Sequence, residues 1–352
     1  MNLQQLLEQA SSMGASDLHL TVGIPPVLRI NGELKKIEME PLNPADTQEL
    51  LMNVMTEDQK NTFMKNGEVD FSFSLPSIGR FRANFYRQRG SFTAAIRLVA
   101  SVIPSATDLK LPDAISELAE RKRGLVLVTG PTGSGKSTTL ASMVDMINQK
   151  RSEHILTLED PIEYLHRHGK SIVNQREVGL DTISYSNALK AALRQDPDVI
   201  LVGEMRDIDT ISIAVTAAET GHLVLSTLHT TGAANTIDRI IDVFPTQQQQ
   251  QIRIQLSNVL QGVISQQLLP TADGRKRIAA FEVMISTPAV RNLIREAKIH
   301  QIQSVIQTGQ KYGMQTMDTC LMGYYKQGFI SKDACLAFAM DQEAMQKMIG
   351  IN

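Results

Sequence analysis

GPTGSGKS, at residues Gly130–Ser137, separates a run of apolar β-formers from a segment with helical spacing. The run is Leu125–Val128, and the helical spacing continues from Thr138 to Ile147. A strand, a glycine loop and a helix in this order are typical of a phosphate-binding P-loop. The glycines let backbone N–H groups turn toward a polyphosphate, and the positive N-terminal end of the helix faces the same anion. The sequence therefore predicts a nucleotide site, although glycine-rich turns of this kind also occur without a ligand.

The positions of this loop have different predicted roles. Lys136 is predicted to reach the β- and γ-phosphates, and the Ser137 hydroxyl is predicted to bind Mg²⁺. The expected ligands are therefore ATP and Mg²⁺. The other loop residues predicted to contact the nucleotide are Gly130, Pro131, Thr132, Gly133, Ser134, Gly135 and Thr138.

The composition is that of an ordinary globular protein with room for two domains. The 352 residues carry a formal net charge of −2, so no basic field favours a nucleic-acid partner. The two cysteines, Cys320 and Cys335, form no C-x-x-C unit, which argues against a zinc module and suits a reducing compartment. No run reaches the ~18 apolar residues that span a bilayer, and the N-terminus does not resemble a signal peptide. We expect a cytoplasmic protein that reaches a membrane only through partners.

Changes in periodicity divide the chain into two predicted domains. Residues 1–100 combine helical segments with alternating strands, which predicts a small α+β domain with an antiparallel sheet. Residues 101–112 lose this periodicity, contain two prolines and are predicted to be an interdomain linker. From 113 to 352, apolar strands alternate with helices, which predicts an α/β domain with a parallel sheet and a helical part over about 271–352.

The same patterns predict individual elements. In the first domain, one helix is predicted over Pro44–Lys65. In the second domain, buried strands are predicted at Leu125–Thr129, His154–Glu159, Val199–Gly203 and Leu223–Thr227. Ligands of open α/β sheets bind at the carboxyl ends of the strands, so residues that follow these strands are candidates for the site.

ATP hydrolysis needs a carboxylate near the metal, a group that orients or deprotonates water, and positive charge at the γ-phosphate. Glu159, Asp160 and Glu163 cluster at the end of one predicted strand, and Glu163 is the candidate base. Glu204 follows another strand, where it would lie near Mg²⁺ and act on it partly through water. The alternative is that these carboxylates are solvated turn residues.

Two histidines lie on either side of the strand in GHLVLSTLH, with His222 at its start and His229 just past its end. Either residue alone would more often be structural. As a pair around one strand of a nucleotide domain, they are also compatible with a functional role. In that case His229 senses the γ-phosphate by a hydrogen bond and couples it to domain movement.

Arginines of the first domain are candidates for the remaining positive charge. Arg80, Arg82 and Asn84 share one face of the strand RFRANFY, and Arg97 lies on the adjoining strand. The alternative is a solvated polar face. An arginine finger contributes about 10³–10⁵ in rate, and no arginine near the P-loop in sequence has an evident claim to that role. A finger on a separate domain would place ATP between domains or subunits.

Several signatures stand together in this chain. They are ASDLHL, the P-loop, LEDPIEY, DPDVILVGEMRD, TAAETGHLVLSTLHT and IDRIIDVFP. Together they resemble the ATPases of type II secretion and type IV pili, and within that superfamily the PilT family of retraction ATPases. The segment Thr287–Asp318 is similar to the region that marks retraction motors. The four-cysteine module common in assembly ATPases is missing.

The resemblance implies a RecA-like ATPase domain, a PAS-like N-terminal domain, and a homohexamer with nucleotide at the seam between domains. It implies Glu163 as the catalytic carboxylate, with Glu159 and Asp160 beside it and Glu204 in the Walker B position. It also implies a histidine pair at His222 and His229. Arg82 and Arg97 would reach ATP in the ring, with Arg80 nearby. The implied partner is an inner-membrane platform protein of the pilus machine, and the implied work is pilus retraction in twitching motility.

Other functions stay open at this point. Within the superfamily, the alternatives are an accessory retraction ATPase of the PilU type, which could also be a partner, and a pilus assembly or type II secretion ATPase. Outside it, the alternatives are a ring motor on nucleic acid and a nucleotide-gated scaffold that does not hydrolyse ATP. The absence of tryptophan and the 5% aromatic content argue against the first of these two, because such motors stack bases on aromatic rings.

Overall fold

The computed structural model describes residues 2–30, 32–75, 78–99 and 102–350. The chain divides into two compact units. Unit 1 comprises Met1–Val102 with Glu163–Leu165, and unit 2 comprises Ile103–Ile162 with His166–Asn352. Ser101, the first residue of the predicted linker, lies outside the described residues.

Unit 1 is an α+β unit with one antiparallel sheet, as predicted. The six strands are ordered β3-β2-β1-β6-β5-β4, and each described pair of neighbours is antiparallel. Its elements are α1 (Leu3–Ser12), β1 (Asp17–Leu20), β2 (Val27–Ile30), β3 (Glu33–Lys36), α2 (Pro44–Met52), α3 (Glu57–Asn66), β4 (Glu68–Leu75), β5 (Gly79–Gln88) and β6 (Ser91–Leu98).

The single helix predicted over Pro44–Lys65 is wrong, because two helices occupy this range. The α2 helix ends at Met52, and Thr56 then adopts an extended conformation with ψ of 164°. The Thr56 side chain accepts a hydrogen bond from the backbone N–H of Gln59, and the Gln59 side chain accepts one from the Thr56 N–H. This reciprocal pair satisfies two free donors at the start of α3 and fixes a new helix there.

The alternation of β5 separates a buried apolar face from a polar face. Phe81, Ala83 and Phe85 are buried in the core of unit 1. Arg82 lies on the other face and is exposed. The pleat of one strand therefore anchors the sheet on its core and presents arginine to solvent, as predicted.

Unit 2 is an α/β unit whose sheet is covered by helices. Its elements are α4 (Asp113–Ala119), β7 (Gly124–Thr129), α5 (Lys136–Lys150), β8 (His154–Glu159), β9 (Ile172–Glu177), α6 (Tyr185–Ala192), β10 (Val199–Val202), α7 (Ile208–Glu219), β11 (Leu223–Leu228), α8 (Ala233–Asp242), α9 (Thr246–Val259), β12 (Leu260–Pro270), β13 (Arg277–Ile285), α10 (Pro288–Arg295), α11 (Ile302–Thr308), α12 (Met317–Lys326), α13 (Lys332–Ala337) and α14 (Gln342–Ile349). Two short 3₁₀ helices lie at Ile299–Gln301 and Gln310–Tyr312.

The sheet of unit 2 has seven strands in the order β13-β12-β7-β11-β10-β8-β9. All neighbours are parallel except β12 and β13, which pair antiparallel at one edge. Every residue of β7, β10 and β11 is buried, as expected for central strands with helices on both faces. The predicted RecA-like α/β fold is confirmed.

The four predicted strands of this unit are present as β7, β8, β10 and β11. Three further strands, β9, β12 and β13, are present without having been predicted. The β13 strand lies within the part predicted to be helical from about residue 271, and the helices of that part begin only at Pro288. The chain passes from α9 into β12 at Leu260 with no intervening loop, which explains why periodicity missed the boundary.

The parallel strands bring four segments to one edge of the sheet. Gly130 follows β7, Asp160 follows β8, Gly203 follows β10 and His229 follows β11. We call this the carboxyl edge; it is where open α/β sheets bind ligands. Among the described residues, no helix is long and apolar enough to cross a bilayer.

Candidate active site

The P-loop backbone packs closely against β12, and two positions of the loop require glycine. Gly130 has a φ of 143°, and a Cβ placed there would lie 2.2 Å from the backbone oxygen of Gln266. Gly135 has a φ of 89° and is the N-cap of α5, with no side chain that caps the helix. The first N–H groups of α5 are therefore not capped by a side chain at the carboxyl edge, as an anion site at a helix N-terminus requires.

Polar groups of the loop converge on the same place. The Lys136 ammonium is largely buried and donates to the carbonyls of Gly130 at 2.9 Å and Pro131 at 3.0 Å. The Ser134 hydroxyl is buried, and within the described part of the chain it has no hydrogen-bond partner. It lies 2.8 Å from the Cβ position of Gly130, inside the loop. A buried cation and an unpaired hydroxyl within a glycine cradle fit a polyphosphate.

Gln266 of β12 supports the P-loop from outside, a role that the sequence did not reveal. Its Nε2 donates to the Ser134 carbonyl at 2.7 Å, and its Oε1 accepts from the Thr139 hydroxyl at 2.7 Å. Gln266 is itself buried. One amide thus ties the loop and the first turns of α5 to the neighbouring strand. Because Gln266 lies about 130 residues from the loop, no local pattern could have indicated the pairing.

The carboxylates after β8 have unequal surroundings. Glu159 is half-buried and accepts from the Thr157 hydroxyl at 2.6 Å and from the Gln175 amide at 3.0 Å. Asp160 is exposed and precedes a cis peptide bond to Pro161. Glu163 is exposed and belongs to unit 1, so its predicted role as base stays a prediction.

Glu204 connects to the tip of the P-loop through His229. The His229 Nε2 lies 3.2 Å from a Glu204 oxygen, and its Nδ1 lies 3.5 Å from the Thr132 hydroxyl. The same Glu204 oxygen pairs with Nε of Arg206 at 2.8 Å. The two predicted residues Glu204 and His229 therefore meet in one chain of contacts that reaches the phosphate loop.

A cavity of about 570 Å³ adjoins this chain of contacts. Its lining includes Thr132, Glu204, Arg206 and His229, and also Arg239 of α8. Arg239 is exposed and has no hydrogen bond or ion pair within the described ranges. No motif in the sequence marked Arg239 as a candidate for this site. Its only local signal was its place in IDRIIDVFP, a helical segment that carries no chemistry by itself.

His222 lies at the amino end of β11, on the side of the sheet opposite the carboxyl edge. It precedes β11, whose six residues separate it from His229 by roughly 20 Å. Its Nδ1 lies 2.9 Å from the Ala217 carbonyl at the end of α7. The structure therefore does not bring His222 to the P-loop of its own unit, and its contacts there are those of a structural residue.

The arginines of unit 1 differ in their partners. Arg82 and Arg97 are register partners on β5 and β6. The Nε of Arg97 donates to Asp17 at 3.0 Å, whereas exposed Arg82 has no ion pair among the residues described. Burial alone would raise the pKa of Asp17, but hydrogen bonds from Ser16 and Arg97 outweigh it and lower that pKa. Arg80 is half-buried on the same strand.

The donors at the carboxyl edge fit Mg²⁺ that arrives with a nucleotide. Within the described ranges, no group of three or more His, Cys, Asp or Glu side chains could hold a metal by itself. Magnesium commonly takes one or two protein ligands and fills its shell with phosphate oxygens and water. Ser137 in the first turn of α5 and Glu204 at the end of β10 supply oxygens of that kind.

Comparisons with known proteins agree with this geometry. Residues 2–277 match the family described as type II/IV secretion system protein. The type IV pilus retraction ATPase PilT of Pseudomonas aeruginosa is 50% identical over 333 residues, which are 95% of this chain and 96% of that protein. The chain belongs to the PilT family of pilus retraction ATPases.

Two further comparisons support this membership. A twitching motility protein of Neisseria gonorrhoeae is 51% identical over 320 residues, covering 91% of this chain and 86% of that protein. The crystal structure of the pilus retraction motor PilT with bound ADP superposes with a TM-score of 0.92 at 52% identity. It covers 99% of this chain and 100% of its own. The resemblance found in the sequence is thus confirmed, and with it the assignment as a nucleotide-binding ATPase of the retraction type.

Proposed function

We propose that this retraction ATPase works as a homohexamer that hydrolyses Mg²⁺-ATP at the carboxyl edge and drives an inner-membrane platform protein of the pilus machine. One observation carries the proposal. The P-loop, with Lys136 and an unpaired Ser134 hydroxyl inside it, connects through Thr132 and His229 to the carboxylate of Glu204. Phosphate binding and the acidic end of β10 are therefore physically linked, which a motor that couples hydrolysis to movement needs.

Each residue at this edge has a proposed part in hydrolysis. Backbone N–H groups of the loop and Lys136 hold the phosphates. Ser137 and Glu204 would hold Mg²⁺, Glu204 partly through water, and the bound ion would neutralise charge on the β- and γ-phosphates. Glu163 would orient or deprotonate the attacking water. Glu159 and Asp160 would complete the acidic set.

The positive charge that completes the site is proposed to come from unit 1. Arg82 is the stronger candidate, because it is exposed and lacks an ion pair among the described residues, whereas Asp17 already holds Arg97. Arg80 and Arg97 would assist it. An arginine that reaches ATP from a separate module makes each hydrolytic event depend on closure between modules.

The predicted domain division supports a hinge for this closure. In the proposal, residues 1–100 and 113–352 act as two bodies and the linker 101–112 absorbs the movement between them. The location proposed is the cytoplasmic face of the inner membrane, with membrane contact through partners, one of which could be an accessory ATPase of the PilU type. Membership in the retraction family supports these assignments.

A deletion strain complemented in trans tests the function. Without the gene we expect many surface pili that do not retract and loss of twitching motility. The wild-type gene should restore motility, and Glu163→Gln should not, because it removes the proposed base while keeping the side chain's volume. A strain without any pili would instead indicate an assembly motor, and unchanged retraction would indicate an accessory role.

Purified protein separates the remaining alternatives. We expect steady-state phosphate release with Mg²⁺-ATP that single-stranded DNA does not stimulate, and a loss of turnover by orders of magnitude in Glu163→Gln with ATP binding retained. Stimulation by DNA would favour a nucleic-acid motor. Near-normal turnover of Glu163→Gln would remove Glu163 from the proposed role.

A further inference from the structure

Tyr185 places a hydroxyl between the ends of two strands of the carboxyl edge. It is the first residue of α6, and its ring packs against the core beneath the sheet. A Cβ placed on Gly203 would lie 2.6 Å from the Tyr185 hydroxyl and 3.2 Å from the Leu158 carbonyl. The hydroxyl therefore occupies the space above Gly203, directly before Glu204 on one strand and beside the start of Glu159–Asp160 on the other.

The surroundings of this hydroxyl are acidic. Burial raises the pKa of the Tyr185 phenol, and the negative charges of Glu204, Asp160 and Glu159 raise it further, with a smaller opposing effect of Arg206. A phenol hydroxyl can donate a hydrogen bond. No residue within the described ranges accepts one from it. A half-buried donor above Gly203, next to Glu204 in the chain and without an acceptor among the described residues, is available to the contents of the site.

We propose that Tyr185 is a positioning residue for ATP hydrolysis, whose hydroxyl donates a hydrogen bond to the Glu204 or the Asp160 carboxylate or to water that they hold. The inference rests on the site roles proposed above. Like charges at close range repel each other, and a fixed donor between them offsets that repulsion and limits their rotamers. Water bound by these carboxylates would then also be held in a defined position.

Gly203 is part of the same arrangement. Its φ lies outside the left-handed region, so an alanine there meets no backbone penalty. The main obstacle to a Cβ is the Tyr185 hydroxyl at 2.6 Å, since the Leu158 carbonyl oxygen lies farther away at 3.2 Å and the nearest ring carbon of Tyr185 at 3.4 Å. Substitutions at Gly203 and Tyr185 can therefore test where the hydroxyl oxygen of Tyr185 lies.

The first experiment measures ATPase kinetics of Tyr185→Phe. A hydrogen bond to a charged group contributes enough that we expect kcat to fall about tenfold. KM for ATP should change less than about twofold, because the nucleotide is held by the P-loop. Tyr312→Phe, which removes a hydroxyl from an exposed tyrosine, should behave like wild type. Wild-type kcat in Tyr185→Phe, or a change confined to KM, would overturn the inference.

The second experiment is a double-mutant cycle read by thermal unfolding. Gly203→Ala should lower Tm and ATPase activity, and the loss in Tm should be smaller when the same change is made in Tyr185→Phe, which has no hydroxyl to displace. Equal losses in both backgrounds would show that the hydroxyl does not lie above Gly203. If Glu204→Gln retained wild-type turnover, the proposed site roles would fail. If Glu204→Gln were inactive while Tyr185→Phe turned over normally, only the inference about Tyr185 would fail.

Discussion

At Gly130 the backbone of the P-loop comes too close to β12 for any side chain. The added Cβ of an alanine would lie 2.2 Å from the Gln266 carbonyl oxygen, which belongs to the sheet and cannot rotate away. Gly133 offers a contrast in the same loop, because its φ of 80° is left-handed but no atom lies within 4 Å of its Cβ position. Gly130, whose φ is 143°, therefore combines a steric with a conformational requirement, whereas Gly133 has only the conformational one.

We expect Gly130→Ala to disrupt nucleotide binding, because the loop must move away from β12 to admit the methyl group. Gly133→Ala should cost only the strain of a left-handed alanine, about 1 kcal/mol, and should weaken binding mildly. Titration of each variant with a fluorescent nucleotide, together with thermal unfolding, checks both expectations. Equal affinity in the two variants would contradict the steric argument.

At the residue scale the sequence predicted what is local and missed what is distant. Lys136 and Ser137 could be assigned because P-loop chemistry depends on neighbours within eight positions. Glu204 and His229 could be proposed because each follows a recognisable strand. Gln266, Arg239 and Tyr185 could not, because strand order and helix packing bring their surroundings together from distant parts of the sequence. His222 lies at the start of β11, as predicted, and its role in the site stays a prediction.

At the scale of elements, β12 pairs with β7 and also supports the P-loop. Gln266 connects it to both the P-loop and α5, through hydrogen bonds of 2.7 Å to Ser134 and Thr139. These bonds lie in the buried interior, where an unpaired carbonyl or hydroxyl costs more than at the surface. The shape of the phosphate site therefore depends on a strand that no motif marks.

We expect Gln266→Ala to lower the free energy of unfolding by about 2–4 kcal/mol, since two buried partners lose their hydrogen bonds. Nucleotide affinity should fall with it, because the loop loses its outer support. Gln267→Ala is the matched control, because among the described residues its side chain makes a single hydrogen-bond contact, of 3.9 Å to the sulfur of Met340. Chemical denaturation and nucleotide titration measure the two effects. A loss in Gln267→Ala as large as that in Gln266→Ala would show that the bonds of Gln266 are not responsible.

Element boundaries were predicted well where strands are buried on both faces and poorly where local chemistry intervenes. The fully buried and mostly apolar runs of β7, β10 and β11 leave little choice of structure. Thr56 instead interrupts an apparently continuous helix through a side-chain cap, which hydrophobic spacing does not register. The edge strand β9 alternates buried and charged residues too irregularly to be recognised.

At the scale of the whole molecule, the helical region after β13 has no role in the proposed hydrolysis of ATP. Arg291 lies on α10, outside the carboxyl edge, and its Nε is buried without a partner in the described part of the chain. Our proposal assigns this region to the transmission of force. Its likeness to the segment that marks retraction motors supports that assignment.

We expect Arg291→Ala to keep most of the ATPase activity and to stop pilus withdrawal, because the substitution leaves the nucleotide site intact. Phosphate release by the purified variant and twitching of a complemented strain measure the two properties. Loss of hydrolysis would place Arg291 within the catalytic machinery instead. Normal twitching would remove it from force transmission.

In the proposed homohexamer, Arg82 of one subunit would complete the nucleotide site that contains Lys136 of another subunit. Mixed rings of Arg82→Ala and Lys136→Ala subunits test it most directly, with subunit exchange verified by fluorescence transfer. Each variant alone should hydrolyse little ATP. When the two variants mix at random in equal amounts, about a quarter of the sites should contain both Lys136 and Arg82. Phosphate release should then rise toward about a quarter of the wild-type rate. Mixed rings that release no more phosphate than the separate variants would contradict the account.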